Sequence, residues 1–320
     1  MSLYIPTTPE HWQGRYDGDA PDLKRWHQHL RYMNLEHPGL APANKGAVAI
    51  LGFACDEGVR RNQGRIGAAQ GPAALRAACA SFPIHEACPE LWDVGTVHCP
   101  DQDLEQAQAS LGQCVTQLLA LGYRPLLFGG GHEITYGHYL GLRQAYPRAR
   151  IGIVNFDAHF DIRPVDPAVG PSSGTGFWQI TQADSLVSCL TLGIQPHSNT
   201  AQLFALAKAA GLQYHTGAEF NYEDRPTLLK HLRTWERDVD LIYVTICMDV
   251  FAAAFAPGVS APANIGILPD KVFRDCLQLL LQSPKCMTMD IAELNPSLDI
   301  DRHTARLAAA WAYAYVYRKL

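Results

Sequence analysis

Residues 150–161 read RIGIVNFDAHFD, and this stretch decides the fold. Its first half is a short run rich in apolar and β-branched side chains, the composition of a strand buried on both faces. Its second half puts Asp157, His159 and Asp161 at alternate positions just where that strand emerges. Alternate side chains of an extended chain share a face, so three potential ligands converge on one point.

Working outward, similar apolar runs recur at 47–53, 125–128, 186–194, 212–215, 241–248 and 286–289. Between them lie segments of helical spacing at 72–80, 104–121, 136–146, 200–210, 225–236, 269–281 and 302–317. This alternation predicts an α/β protein whose mostly parallel sheet carries helices on both faces. In such sheets ligands bind beyond the carboxyl ends of the strands. The 320 residues are 48% hydrophobic and 18% charged, enough for a large core and against disorder. No break in composition divides the chain, so 1–320 reads as a single domain, with residues 1–45, richer in Pro and His, as a surface extension.

Other strand ends carry chemistry too. The run LLFGGGHEIT brings His132 out of a glycine-rich turn, and the Lys-Ser/Thr ending of a phosphate-binding P-loop is absent. The run LIYVTICMDV places Cys247 and Asp249 two residues apart. Three carboxylates cannot be buried together without cations to neutralise them, so a divalent metal pair is the economical reading.

Charge and cysteine content bound the partners. With 26 Lys and Arg against 31 Asp and Glu, the net charge of −5 supplies no global field for nucleic acid or an anionic membrane. A small acidic molecule must therefore be met by local cations. The opening MSLYIPTTPEHW lacks the pattern of a signal peptide, and no run approaches the ~18 apolar residues of a membrane span. Nine scattered cysteines without a CxxC pair argue against a disulfide framework and point to a reducing cytoplasm.

These segments resemble the signatures of the arginase/agmatinase ureohydrolase family: Gly129-Gly130-Gly131-His132, then Asp157 to Asp161, then Thr245-Ile246-Cys247-Met248-Asp249 with Ala256-Pro257-Gly258. The segments 52–72, 159–163, 172–179, 193–200 and 290–309 are similar to the branch of that family that hydrolyses N-formimidoyl-L-glutamate to L-glutamate and formamide in histidine degradation. The resemblance implies an arginase-like three-layer α/β/α fold with about eight central strands, two Mn(II) ions per subunit and assembly into homo-oligomers. It assigns His132 and Asp161 to one ion, His159 and Asp249 to the other, and Asp157 as the bridge. A hydroxide shared by the metals would attack the amidine carbon, with Asp249 relaying a proton and Glu293 pairing with the amidinium.

Two carboxylates on the substrate call for local positive charge. Arg60, Arg61, Arg65 and Arg163 lie in loops after strands, with Arg163 the first choice and Arg65 the second, and Asn62, Ser173 and Thr175 as neutral partners. Two positions depart from the family pattern. Phe177 stands where arginases carry a histidine, and Cys247 replaces a bridging aspartate with a softer, single-atom ligand, which alters or weakens one metal position. Cys55, at the end of the first of these strands, would share a rim with Cys247 as a candidate redox pair. The competing readings are a guanidino-hydrolase of agmatinase or guanidinobutyrase type, which would release urea, and a catalytically impaired binding protein.

Overall fold

The computed structural model describes residues 3–37, 39–85 and 88–318. Ten strands form one sheet: β1 (Tyr4–Ile5), β2 (Arg31–Tyr32), β3 (Val48–Ala54), β4 (Leu91–His98), β5 (Arg124–Phe128), β6 (Ile151–Phe156), β7 (Val187–Ile194), β8 (Gln213–Thr216), β9 (Leu241–Cys247) and β10 (Cys286–Ala292). Their order is β1-β4-β3-β5-β10-β9-β6-β7-β8, with β2 paired to β4. The eight longer strands are parallel, and the antiparallel β1 and the short β2 extend one edge. The expected eight strands thus form the body of the sheet, with two short ones added.

Among the described residues ten α-helices accompany them: α1 (Trp26–His29), α2 (Glu57–Arg61), α3 (Gly71–Cys79), α4 (Leu104–Ala120), α5 (Ile134–Ala145), α6 (Gly176–Ala183), α7 (Ala201–Ala209), α8 (Arg225–Arg237), α9 (Lys271–Gln282) and α10 (His303–Tyr317). Alternation along the strands sorts the core into two layers. Val48, Ile50, Val154 and Phe156 pack with Leu75, Leu228, Phe273 and Trp311 on one face. Ala49, Leu51, Ile151 and Ile153 pack with Leu111, Tyr139, Ile180 and Leu203 on the other. Neither layer is closed without helices, which is why the parallel strands read as continuous apolar runs.

The apolar pattern does not mark β4, because its centre holds Asp93 and Gly95. Asp93 is fully buried and accepts from Arg76 Nε (2.6 Å) and Nη2 (3.1 Å), Trp12 Nε1 (2.6 Å) and Gly95 N (2.9 Å). Gly95 has φ +100°, and a Cβ there would stand 2.4 Å from the Ile5 carbonyl oxygen, so only glycine lets β1 approach at this bulge. The amino-terminal segment therefore does more than cover the surface: Trp12 and Trp26 are buried in the core and Trp12 caps a buried ion pair.

Removing one partner of a buried pair strands the other charge. Asp93→Ala is expected to lower stability by about 3–5 kcal/mol in urea unfolding, and adding Arg76→Met should recover much of that loss. A loss below about 1 kcal/mol in the single variant would show that Arg76 finds water instead.

Candidate metal centre

Four neighbouring strands, β5, β10, β9 and β6, end side by side, and each delivers part of one site. The register sets the heights: Ala292 lies opposite Cys247, and Thr245 opposite both Asp290 and Asn155. After β5 the chain turns sharply through Gly129–Gly131, and a Cβ on Gly130 would sit 1.8 Å from the Cys55 carbonyl oxygen. That contact forbids any side chain at Gly130 and points His132 at the ends of β6 and β9.

His132 Nδ1 lies 2.9 Å from Asp157 Oδ2 and 2.8 Å from Asp161 Oδ2. Its Nε2 donates to Thr245 Oγ1 at 3.0 Å, since that hydroxyl spends its own proton on Asp290 Oδ1 at 2.6 Å. The ring is thus fixed with Nδ1 toward the carboxylates, the support given to a metal-binding histidine by the groups behind it. Asp290 is anchored in turn by His138 Nδ1 at 2.7 Å and by the Tyr243 hydroxyl. His159 Nδ1 lies 3.2 Å from Asp249 Oδ2 and 3.5 Å from Asp157 Oδ1. Two donor groups result, His132 with Asp157 and Cys247, and Asp157 with His159 and Asp249, and they share Asp157.

The charge balance tests whether cations fit. Asp249 Oδ1 is buried with no hydrogen-bond partner among the described residues, an acceptor aimed at nothing the chain supplies. Burial and then the Asp157 charge push the Asp161 carboxyl up to about 6. Burial, followed by the charges of Asp157, Asp249, Glu293 and Asp161, pushes the Cys247 thiol well up. Burial drives both imidazoles toward neutrality, yet their carboxylate neighbours win and hold His132 and His159 well above the ordinary histidine value. The carboxylates thus draw onto two imidazoles the positive charge that divalent cations would carry. Oxygen, imidazole and one thiol form a donor set suited to divalent transition ions, so the residues fit a metal pair.

The Asp157–Asp161 turn is held from outside. Asn199 Oδ1 accepts from Phe160 N at 3.1 Å, and its amide donates to the Ala158 and Gln195 carbonyls at 2.9 Å each. Asn199 therefore grips the residues between the ligands. Sequence reading missed Asn199, Thr245 and Asp290 as contributors; only Thr245 carried a signal, two residues before Cys247 on the same side of the strand.

A cleft of about 450 Å³ opens over the centre, lined by Asn62, Arg65, Arg163, Ser173, Cys247 and Glu293 among others. Glu293 has φ +67° and accepts from His132 N at 2.8 Å. Burial first, then Glu133 and Asp249, push its carboxyl well above the usual range. Arg163 is exposed, and its guanidinium has no partner among the described residues. Arg65 reaches the cleft with its guanidinium on the Ser260 and Val259 carbonyls, at 2.9 and 2.8 Å. Asn62 Nδ2 donates to Ser173 Oγ at 3.1 Å on the same wall.

Four expected contributors sit elsewhere. Thr175 is buried off the cleft, its hydroxyl bonded to the Ser172 carbonyl (3.0 Å) and Gln179 (3.1 Å), because it closes the turn that starts α6. Arg60 and Arg61 are tied to Glu57, and Arg61 also to Glu105. Cys55 is free, with its thiol toward Glu133 Oε1 at 3.5 Å and away from the cleft wall that Cys247 lines. Phe177 is fully buried edge-on to His132, with ring centres 6.4 Å apart, so no proton moves through that position.

The Arginase family model matches residues 46–317. A formimidoylglutamase of Geobacillus kaustophilus is 44% identical over 314 residues, covering 97% of this chain and 95% of its own. One from Rhodococcus jostii is 43% identical, covering 100% and 98%. Among solved structures, formimidoylglutamase from Bacillus subtilis superposes with a TM-score of 0.78 at 23% identity, covering 89% of this chain and 95% of that one. Trypanosoma cruzi formiminoglutamase with Mn2+2 gives 0.76 at 25% identity, covering 86% and 93%. With its sheet order, its paired donor groups and these matches together, the chain belongs to the arginase family.

Proposed function

We propose that this chain is a metal-dependent hydrolase that converts N-formimidoyl-L-glutamate and water to L-glutamate and formamide. The relatives named formimidoylglutamase, 40–44% identical over nearly the whole chain, support the activity. The observation that carries it to the site is two donor groups joined at Asp157 under a cleft whose wall holds the unpaired Arg163. An arginine there favours a substrate carboxylate and repels the second cationic end of agmatine, so a guanidino-hydrolase is the poorer fit.

His132, Asp157, Asp161 and Cys247 would hold one ion, and His159 and Asp249 the other, with Asp157 shared. Two Mn(II) ions are the proposed pair, as in the Trypanosoma relative. Such a pair supplies the positive charge that brings the pKa of water into the neutral range. The chain does the rest. The Glu293 carboxylate, raised by burial, becomes ionised when an amidinium pairs with it, and it orients the amidine carbon over Asp157. Water adds its oxygen to that carbon, and the bond to the glutamate nitrogen breaks. Asp249, beside His159 at the floor of the cleft, takes a proton from the water and returns it to the departing nitrogen. Arg163, with Asn62 and Ser173, grips a substrate carboxylate. Nine cysteines, all unpaired, fit a cytoplasmic location.

Assay of the reduced, Mn-loaded protein on formimidoylglutamate, arginine and agmatine should give formamide from the first and little urea from the others; urea as the main product would sink the assignment. His159→Ala, folded by circular dichroism, should lose turnover by more than about 100-fold, beyond the effect of losing a group behind a ligand. Arg163→Ala should raise KM about 10- to 100-fold, the worth of a charge-assisted hydrogen bond, with kcat changed less and Arg163→Lys intermediate. An unaltered KM would remove Arg163 from the carboxylate site. Cys247→Asp should tighten Mn(II) binding and weaken Zn(II) binding in competition dialysis. The same metal preference in both forms would mean that the thiol never reaches an ion.

A further inference from the structure

At the far edge of the sheet, where β8 meets α8, two imidazoles face each other outside the cleft. His215 Nε2 and His231 Nδ1 lie 2.7 Å apart. The outer nitrogen of each ring is already engaged, His215 Nδ1 by Glu219 Oε1 at 2.7 Å and His231 Nε2 by Gln213 Oε1 at 2.8 Å. A carboxylate or amide oxygen only accepts, so both outer nitrogens carry the proton. With both outer nitrogens protonated, the inner contact needs one positive charge between the rings: either a proton, giving an N–H···N hydrogen bond with Glu219 as counter-charge, or a metal ion in that proton's place. The acceptors are themselves held: Gln213 shares a face of β8 with His215, and Glu219 Oε2 accepts from Thr216 N at 2.7 Å and Oγ1 at 2.8 Å.

We infer that His215 and His231 form a second metal site, for a divalent transition ion of the nickel, copper or zinc type, with Glu219 and Gln213 orienting the rings. A histidine that donates its second N–H to a carboxylate is the usual arrangement of a metal ligand. Metal–nitrogen bonds of about 2.0–2.1 Å put neighbouring donors about 2.9 Å apart at a right angle and about 3.3 Å apart at the tetrahedral angle of zinc, so the rings need to part by about 0.2–0.6 Å and to turn until both lone pairs meet at the ion. Imidazole suits these ions, whereas Mn(II) prefers the oxygen-rich cleft, so the two sites select different metals. The His215 side chain is 12% exposed and that of Glu219 41%, which leaves an approach for the ion and room for water to complete its coordination.

The test is Ni(II) titrated into tag-free, Mn-loaded protein, followed by calorimetry and elemental analysis. Wild type should take up one more Ni(II) per chain than His231→Ala or His215→Ala, which cancels binding elsewhere. Glu219→Gln should weaken that increment about tenfold or more, and hydrolase turnover should be unchanged in all three variants. Equal Ni(II) uptake by wild type and the folded histidine variants would overturn the site. If a histidine variant fails to fold, an undiminished Ni(II) affinity in Glu219→Gln overturns it equally.

Discussion

Asp157, Asp161, Asp249 and Glu293 meet at the carboxyl ends of β6, β9 and β10, largely out of reach of water, and their neutralisation governs everything built around them. An isolated buried carboxylate is too costly to persist, so each must find a proton, an imidazolium or a cation. The chain offers two imidazoles, the backbone N–H groups of His132 and His159 and the Asn155 amide, and leaves Asp249 Oδ1 without a partner among the described residues. The same shortage of positive charge that favours cations at the floor also favours an amidinium at Glu293. In the proposed reaction substrate and metal are thus recognised through one deficit, while the overall charge of −5 leaves the carboxylate end of the substrate to Arg163 at the rim.

Holding like charges together requires a stiff frame. Asp161 and Glu293 both adopt left-handed backbone, at φ +46° and +67°, which costs non-glycine residues about 1–3 kcal/mol each. Each is fixed by its neighbours: the Asp161 carbonyl accepts from Phe177 N at 3.0 Å, and Glu293 N donates to the Gly130 carbonyl at 2.8 Å. Phe177 thus has a structural task at the position where the resemblance to arginases leads one to expect a histidine. The chain from His132 through Thr245 to Asp290 and His138 runs down into the sheet, so the orientation of one ligand is set by groups buried beneath β9 and β10.

What could be read from sequence was whatever depends on near neighbours. Asp157, His159 and Asp161 announce themselves because period-two alternation is local, and His132 because glycines precede it. The runs for β3, β5, β6, β7 and β9 stand out because a parallel strand covered on both faces is apolar throughout. Asn199, Asp290 and Arg76 were illegible, since their partners lie tens of residues away and a polar residue alone carries no sign of burial. Asp93 hid β4 for the same reason. The arginines show the limit most clearly: Arg61 and Arg163 look alike as loop cations, and only the fold reveals that Glu57 and Glu105 consume one and leave the other open to the cleft. Thr175 was misplaced because a hydroxyl that closes a turn looks like one that faces a ligand.

The strand order has a temporal side. β9 and β10 are inserted between β5 and β6, so the two halves of the sheet made earlier in synthesis have no shared edge until residues 241–292 leave the ribosome. During that interval His132 and the Asp157–Asp161 turn belong to separate pieces, each with an exposed parallel edge open to mispairing. Completing the catalytic floor and sealing the sheet are therefore one event, late in translation, and a chain released before its last strands can neither gather the ligands nor protect its own edges.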